Sequence, residues 1–208
     1  MTLTLAHSPD SDDAFMFHAL ATGAVPGALA YRHVLSDIET LNRRARRGEL
    51  DVTAISAAAY PDVAHLYRIM SCGASVGRKY GPIVLARTSS AVRRVGGERC
   101  TACSARRTPY LLQRLYVPAA FTPVMMDFDR ITESVASGET DAGVIIHEGQ
   151  LTWQTTGLKR VIDLGEAWMD DTALPIPLGL DVIRRGLGDD VSLRVAKALK
   201  ESIVLART

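Results

Sequence analysis

Gly138-Glu-Thr-Asp141-Ala-Gly-Val-Ile-Ile-His147-Glu148 is the stretch that decides the fold, because the chain has already used the same design once. The earlier copy is Gly48-Glu-Leu-Asp51-Val-Thr-Ala-Ile-Ser56. Both copies share Gly-Glu-x-Asp and then run an apolar strand to a polar residue. A helix-like segment precedes each glycine, over residues 38–47 and 131–137, so each copy reads as helix, C-cap glycine, acidic turn and buried strand. Two such copies predict two similar α/β lobes. In open α/β sheets ligands gather at the carboxyl ends of strands, where Ser56 and His147 fall, so a ligand cleft between the lobes is expected.

The rest of the chain fits around these copies. Residues 3–7 read as a strand that stops at His7-Ser8-Pro9, and Asp10-Ser-Asp-Asp13 supplies N-cap candidates and a negative first turn for a helix that Gly23 ends. A short strand over 30–34 leads to Ser36-Asp-Ile-Glu39, the spacing of a capping box, and to an arginine-rich helix whose cations suit its C-terminus. Beyond Ser56 come a helical segment to Leu66 and strands at 67–70 and 82–86, with Gly73 to Gly81, rich in glycine, read as a linker. A second alternating block follows, with a weak strand near Cys100, helices at 110–116 and 130–137, and strands at 123–126 and into His147. Segments 151–157 and 165–172 read as helices and 161–164 and 176–183 as strands. The last helix, 189–205, spaces Val191, Val195, Leu199 and Ile203 on one face. The expected lobes are residues 1–87, with 186–208 returning to them, and residues 88–185.

Composition narrows the partner. The 208 residues carry 24 basic and 23 acidic side chains, a net charge of +1, which leaves no electrostatic footprint for nucleic acid or an anionic membrane. The first ten residues lack a basic n-region, and no apolar run reaches membrane-span length, so a cytoplasmic protein is expected. Cys100-Thr-Ala-Cys103 has no second pair and Cys72 stands apart, so the thiols read as reduced bystanders. No phosphate loop and no cluster with metal-ligand spacing implies a cofactor. A small molecule is the expected partner, and nothing in the sequence fixes the oligomeric state.

Several stretches together resemble a known family. They are Ser8-Pro9 with its acidic turn and Phe15-Met-Phe17, Glu39-Thr-Leu-Asn-Arg43, Thr53-Ala-Ile-Ser56, Ala74-Ser-Val-Gly-Arg78, Ile145-Ile-His-Glu148 and Leu174-Pro-Ile-Pro-Leu-Gly179. In these the chain resembles the 1,4-dihydroxy-6-naphthoate synthases of the futalosine route to menaquinone, in the family that also holds chorismate dehydratases. The resemblance implies a two-lobed fold like the type II periplasmic binding proteins, and a lyase that opens cyclic dehypoxanthinyl futalosine to the naphthoate. It makes His147 the general base, a role that an imidazole of ordinary pKa near ~6.5 performs at neutral pH. It assigns substrate contacts to Ala54, Ile55 and Ser56, and to Thr108 and Pro109 at a helix start, where a hydroxyl and backbone N–H groups suit the substrate carboxylate. Ser8, in the first strand-to-helix loop, is a weaker contact by the same logic, because the acidic helix start beside it repels an anion.

Two departures from the family pattern stand out. Cys100-Thr-Ala-Cys-Ser-Ala-Arg-Arg-Thr108 replaces an apolar strand, a Pro-Gly turn and a Thr-Thr pair, which puts Arg107 where a threonine is expected. Arg107 is then either a carboxylate clamp or a costly intrusion, and residues 88–109 read as strongly divergent or altered in reading frame. The family also continues beyond residue 208 with a segment that completes the first lobe, so exposed apolar surface, and with it poor solubility or weak activity, is expected of this chain. Two other functions remain open on this scaffold: a non-catalytic binder of small carboxylates, and a chorismate-dehydratase-like enzyme.

Overall fold

A computed structural model describes residues 1–88, 99–102, 107–117, 121–146 and 149–207. The chain divides into two compact units, residues 1–75 with 178–208, and residues 76–177. The first unit therefore gives up residues 76–87 and takes in 178–185, relative to the lobes read from the sequence. Both crossings lie inside long strands, β4 (Tyr67–Gly77) and β10 (Ile176–Arg184), rather than in a linker.

In the first unit β1 (Thr2–His7), α1 (Ser11–Ala21), β2 (Ala30–Leu35), α2 (Ile38–Arg46), β3 (Val52–Ser56) and the short α3 (Tyr60–Val63) precede β4, and α8 (Gly188–Leu205) follows β10. The sheet order is β2-β1-β3-β10-β4. Strands β1, β2 and β3 run parallel, and β10 is antiparallel to β3, so the sheet is mixed where a simple α/β alternation was read. Leu3, Leu5, Phe17, Val52, Ile183, Val195 and Leu199 form one core, in which α8 seats Val195 and Leu199 as its spacing predicts. Ala45, Ile55, Val63, Tyr67 and Val182 form another. Each such large side chain contributes roughly 1.5–3 kcal/mol by leaving water.

The second unit repeats that plan. Its elements are β5 (Ile83–Ala86), β6 (Arg99–Ala102), α4 (Thr108–Tyr116), β7 (Thr122–Met125), α5 (Ile131–Ser137), β8 (Ala142–Ile145), α6 (Gly149–Thr152), β9 (Lys159–Asp163) and α7 (Leu164–Thr172). The order is β7-β6-β8-β5-β9, with β7, β6 and β8 parallel and β5 antiparallel to β8. β3 and β8, the two sequence copies, thus take the same place: third in the order and beside an antiparallel strand. Gly48 and Gly138 both adopt the left-handed backbone that ends the preceding helix, φ +66° and +86°.

The repeated acid also has a repeated partner. Asp51 Oδ1 lies 2.5 Å from Arg184 at the end of β10, and its Oδ2 accepts the Thr4 N–H at 2.9 Å. Asp141 Oδ1 lies 3.6 Å from Arg87, which follows β5. Arg87 also donates to the carbonyls of Val135 and Thr140 at 2.6 and 2.8 Å. In each unit, then, an arginine from the antiparallel strand ties down the acidic turn ahead of the buried parallel strand.

Two local readings are corrected. The segment read as a linker from Gly73 to Gly81 belongs to β4 as far as Gly77. The cap of α2 is Asp37, whose carboxylate accepts the Thr40 N–H at 3.0 Å, in place of the Ser36-to-Glu39 box.

Candidate functional site

The residues singled out in the first unit lie at the carboxyl ends of two adjacent parallel strands. β1 pairs with β3 with Ala6 beside Thr53, so His7 and Ser8 leave β1 at the level where β3 runs through Ala54, Ile55 and Ser56. Ile55 is 1% exposed and packs against Ala45, Val63, Tyr67 and Val182, so its side chain belongs to the core and only its backbone faces the strand end. Ser56 is buried at the turn from β3 into a 3-10 segment, with Gly179 of β10 opposite it.

The Ser56 N–H donates to Asn42 Oδ1 at 3.0 Å. Asn42, on α2, is fully buried, and its Nδ2 has no hydrogen-bond partner among the described residues. An unsatisfied buried donor costs about 1–3 kcal/mol, so this amide is an expensive residue to keep. The sequence contained the signal, a polar residue between Leu41 and Ala45 on the inward side of an otherwise arginine-rich helix, but offered no reason to separate it from the solvated face.

Ser8 is gripped on both sides of its peptide. Its N–H donates to Asp13 Oδ2 at 2.7 Å, and its carbonyl lies 2.9 Å from His7 Nδ1, which makes that nitrogen the protonated one. His7 stacks on Phe17 with ring centroids 4.6 Å apart, and its Nε2 lies 3.5 Å from His33 Nδ1. Burial, with His33 as a lesser cause, holds the His7 pKa below its ordinary value, so the ring is kept neutral. Burial pushes Asp13 up to about 6 against the pull of its Ser8 hydrogen bonds, with Asp12 and Asp10 adding to the rise. Asp181, opposite Ala54 on β10, is 1% exposed and its carboxyl is raised well above the usual range by burial and then by Asp13 and Asp12. Ser8 thus has a turn role in which its N–H is already committed.

In the second unit Arg107, Thr108 and Pro109 follow β6, the strand parallel to and beside β8. Arg107 is half-buried and caps α4, and its carbonyl accepts the N–H groups of Tyr110 and Leu111 at 3.1 and 3.2 Å. Pro109 has no N–H to give, so the anion contacts read for this helix start fall to Thr108, which is buried. β8 ends at Ile145, two residues before His147; His147 and Glu148 lie outside the described residues, as does Cys103 of the cysteine pair. Cys72 is a free thiol, and among the described residues no three His, Cys, Asp or Glu side chains gather as metal ligands. No described helix is long and apolar enough to cross a membrane.

Comparison with known proteins places this geometry. The model of the menaquinone biosynthesis family matches residues 3–208. A 1,4-dihydroxy-6-naphthoate synthase of Streptomyces coelicolor is 42% identical over 207 residues, covering 97% of this chain and 73% of its own. A crystal structure of a protein from Archaeoglobus fulgidus superposes with a TM-score of 0.92 at 47% identity, over 99% of this chain and 76% of that one. The alkanesulfonate-binding protein of Xanthomonas axonopodis, solved with MOPS, superposes with a TM-score of 0.70 at 13% identity, over 97% of this chain and 72% of that one, and shares the fold alone. The two-sheet α/β architecture is thus that of the periplasmic binding proteins.

Proposed function

The chain belongs to the menaquinone biosynthesis family and is an enzyme of that biosynthesis, and from this premise we propose that it is a carbon–carbon lyase converting cyclic dehypoxanthinyl futalosine to 1,4-dihydroxy-6-naphthoate. The observation that carries the reading is 42% identity to a synthase of that name across 97% of the chain. His147 is the general base: a neutral imidazole takes a substrate proton, and the electrons left behind drive the fragmentation that releases a dihydroxyacetone-type piece. Ala54, Ile55 and Ser56 contact the substrate in the first unit, and Thr108 and Pro109 in the second, with Arg107 beside them as a further cation. Ser8 contributes by holding the turn after β1, through the bonds to Asp13 and His7.

Incubating the purified chain with cyclic dehypoxanthinyl futalosine and looking for the naphthoate by mass tests this reading. The parent chain is expected to form product, and His147→Ala to form it about 10²–10⁴-fold more slowly, the usual worth of a positioned base. An undiminished rate in His147→Ala removes the base assignment. Ligand-dependent thermal stabilisation with no product from the parent replaces the enzyme with a binder of small carboxylates.

A further inference from the structure

The Glu39-Thr-Leu-Asn-Arg43 stretch has so far been given no part in the site, and the structure gives it one at Ser56. The parallel pairing of β1 with β3 joins Leu5 to Val52 and Ala6 to Thr53, so Ser56 lies three residues past the last of these pairs. Its N–H is taken by a side chain in place of a strand, Asn42 Oδ1 at 3.0 Å. Asn42 is carried on a firmly seated helix. Leu41, just before it, packs against Ala6, Leu50 and Ala54, and Ala45, one turn on, packs against Ile55, Tyr67 and Val182. α2 is thus fixed to the two residues of β3 that precede Ser56, and the amide is fixed with it. The Nδ2 end of that amide is buried without a partner among the described residues. What Asn42 supplies is the acceptor at its other end, which an apolar residue of the same size would lack.

We propose that Asn42 is a positioning residue for substrate binding: through Oδ1 it fixes the backbone at Ser56, and so the direction in which the Ser56 side chain meets the substrate. The proposal rests on the reading of Ser56 as a substrate contact and deepens it, by naming what sets that contact. With the Ser56 N–H committed to Asn42, the contact falls to the Ser56 hydroxyl, which does not cap the 3-10 turn Ala57–Ala59 that follows. Asn42 is fully buried and acts through Ser56 alone. A hydroxyl contact is directional and weakens steeply as its angle leaves the line, so a backbone free to turn at residue 56 would loosen it without altering the chemistry at His147. A loss of this kind raises KM and leaves kcat near its value.

The test is a double-mutant cycle of Asn42→Leu with Ser56→Ala in the full chain, read from turnover of cyclic dehypoxanthinyl futalosine, with Asn42→Asp as the conservative variant. Asp keeps an oxygen facing the Ser56 N–H, whereas Leu keeps the volume and loses the acceptor. Melting curves identify a variant that fails to fold, and Asn42→Ala then replaces Asn42→Leu. Asn42→Leu is expected to raise KM roughly tenfold with kcat within about threefold of the parent, Asn42→Asp to stay close to the parent, and Asn42→Leu to cost nothing further once Ser56→Ala is in place. A merely structural asparagine would lose the same factor in both backgrounds or show no rescue by Asn42→Asp, and either outcome overturns the proposal. A parent that forms no product refutes the lyase reading, and the cycle is then read from calorimetric affinity for the same compound. A parent that neither converts nor binds it overturns the substrate reading and this proposal together, whereas equal losses in both backgrounds overturn this proposal alone.

Discussion

At the scale of the residue, the buried polar groups divide into those that are satisfied and those that carry tension. Tyr67 is of the first kind: its hydroxyl donates to the Leu50 carbonyl at 2.7 Å and accepts the Leu50 N–H at 3.3 Å, inside the core. Tyr67→Phe should cost about 1–3 kcal/mol in urea unfolding, since it strands both polar groups of Leu50. Asp13 is of the second kind. Its folded pKa of about 6 lies above the ordinary 3.8, so the stability linked to its proton is fully present below pH 3.8 and is lost as pH rises through 6. Asp13→Asn is therefore expected to stabilise the chain at pH 8, by something on the order of 2–3 kcal/mol, with the gain gone by pH 4. Equal melting curves at pH 8 would refute this. His7 and His33, held neutral by burial, act with the opposite sign, and their contribution is present above pH 6.5 and lost below it.

At the scale of the element, the two Gly-Glu-x-Asp turns are a matched pair with unequal roles. Asp51 joins β1 through the Thr4 N–H as well as meeting Arg184, and its side chain is 16% exposed, whereas Asp141 meets Arg87 at 3.6 Å and is 38% exposed. Asp51→Ala should cost about 1–3 kcal/mol and Asp141→Ala less than about 1 kcal/mol, because an exposed pair gains little in water. Reversed magnitudes in denaturant titrations would break the argument. These turns were also the most legible part of the sequence, since a glycine needed for a left-handed helix end and a buried strand behind it are both local signals. β4 was not legible beyond Met70, and the reason is tertiary. A Cβ at Gly73 would lie 2.0 Å from Asp181 Oδ2, so the residue that makes the segment look like a linker is there to make room for a carboxyl on β10. Gly143 has the same kind of cause, because a Cβ there would meet Thr101, Ile131 and Val135 within 3 Å. Antiparallel strands arriving from distant parts of the chain leave no local mark either. The candidate site was half legible: Ser56 and Thr108 stood out at strand and helix ends, while Asn42 hid in a polar helix.

At the scale of the whole molecule, the two units differ in how the chain supplies them. The second is one continuous piece, residues 76–177, whereas the first needs β10 and α8 to complete a core shared by Leu3, Leu5, Phe17 and Val52. Residues 76–177 expressed alone are expected to unfold cooperatively, and residues 1–75 alone to show no cooperative transition, because they lack Ile183, Val195 and Leu199. A sharp transition from residues 1–75 would show that the missing side chains are dispensable. The same discontinuity sets a timetable for the ribosome. Synthesis releases β3 early, yet the strand that closes its open edge begins at residue 176, so until then the segment Val52–Ser56 travels with an unpaired row of N–H and C=O groups. The second unit can fold in that interval while the first waits. The nascent chain is thus exposed to mispairing with its neighbours on a polysome until β10 emerges.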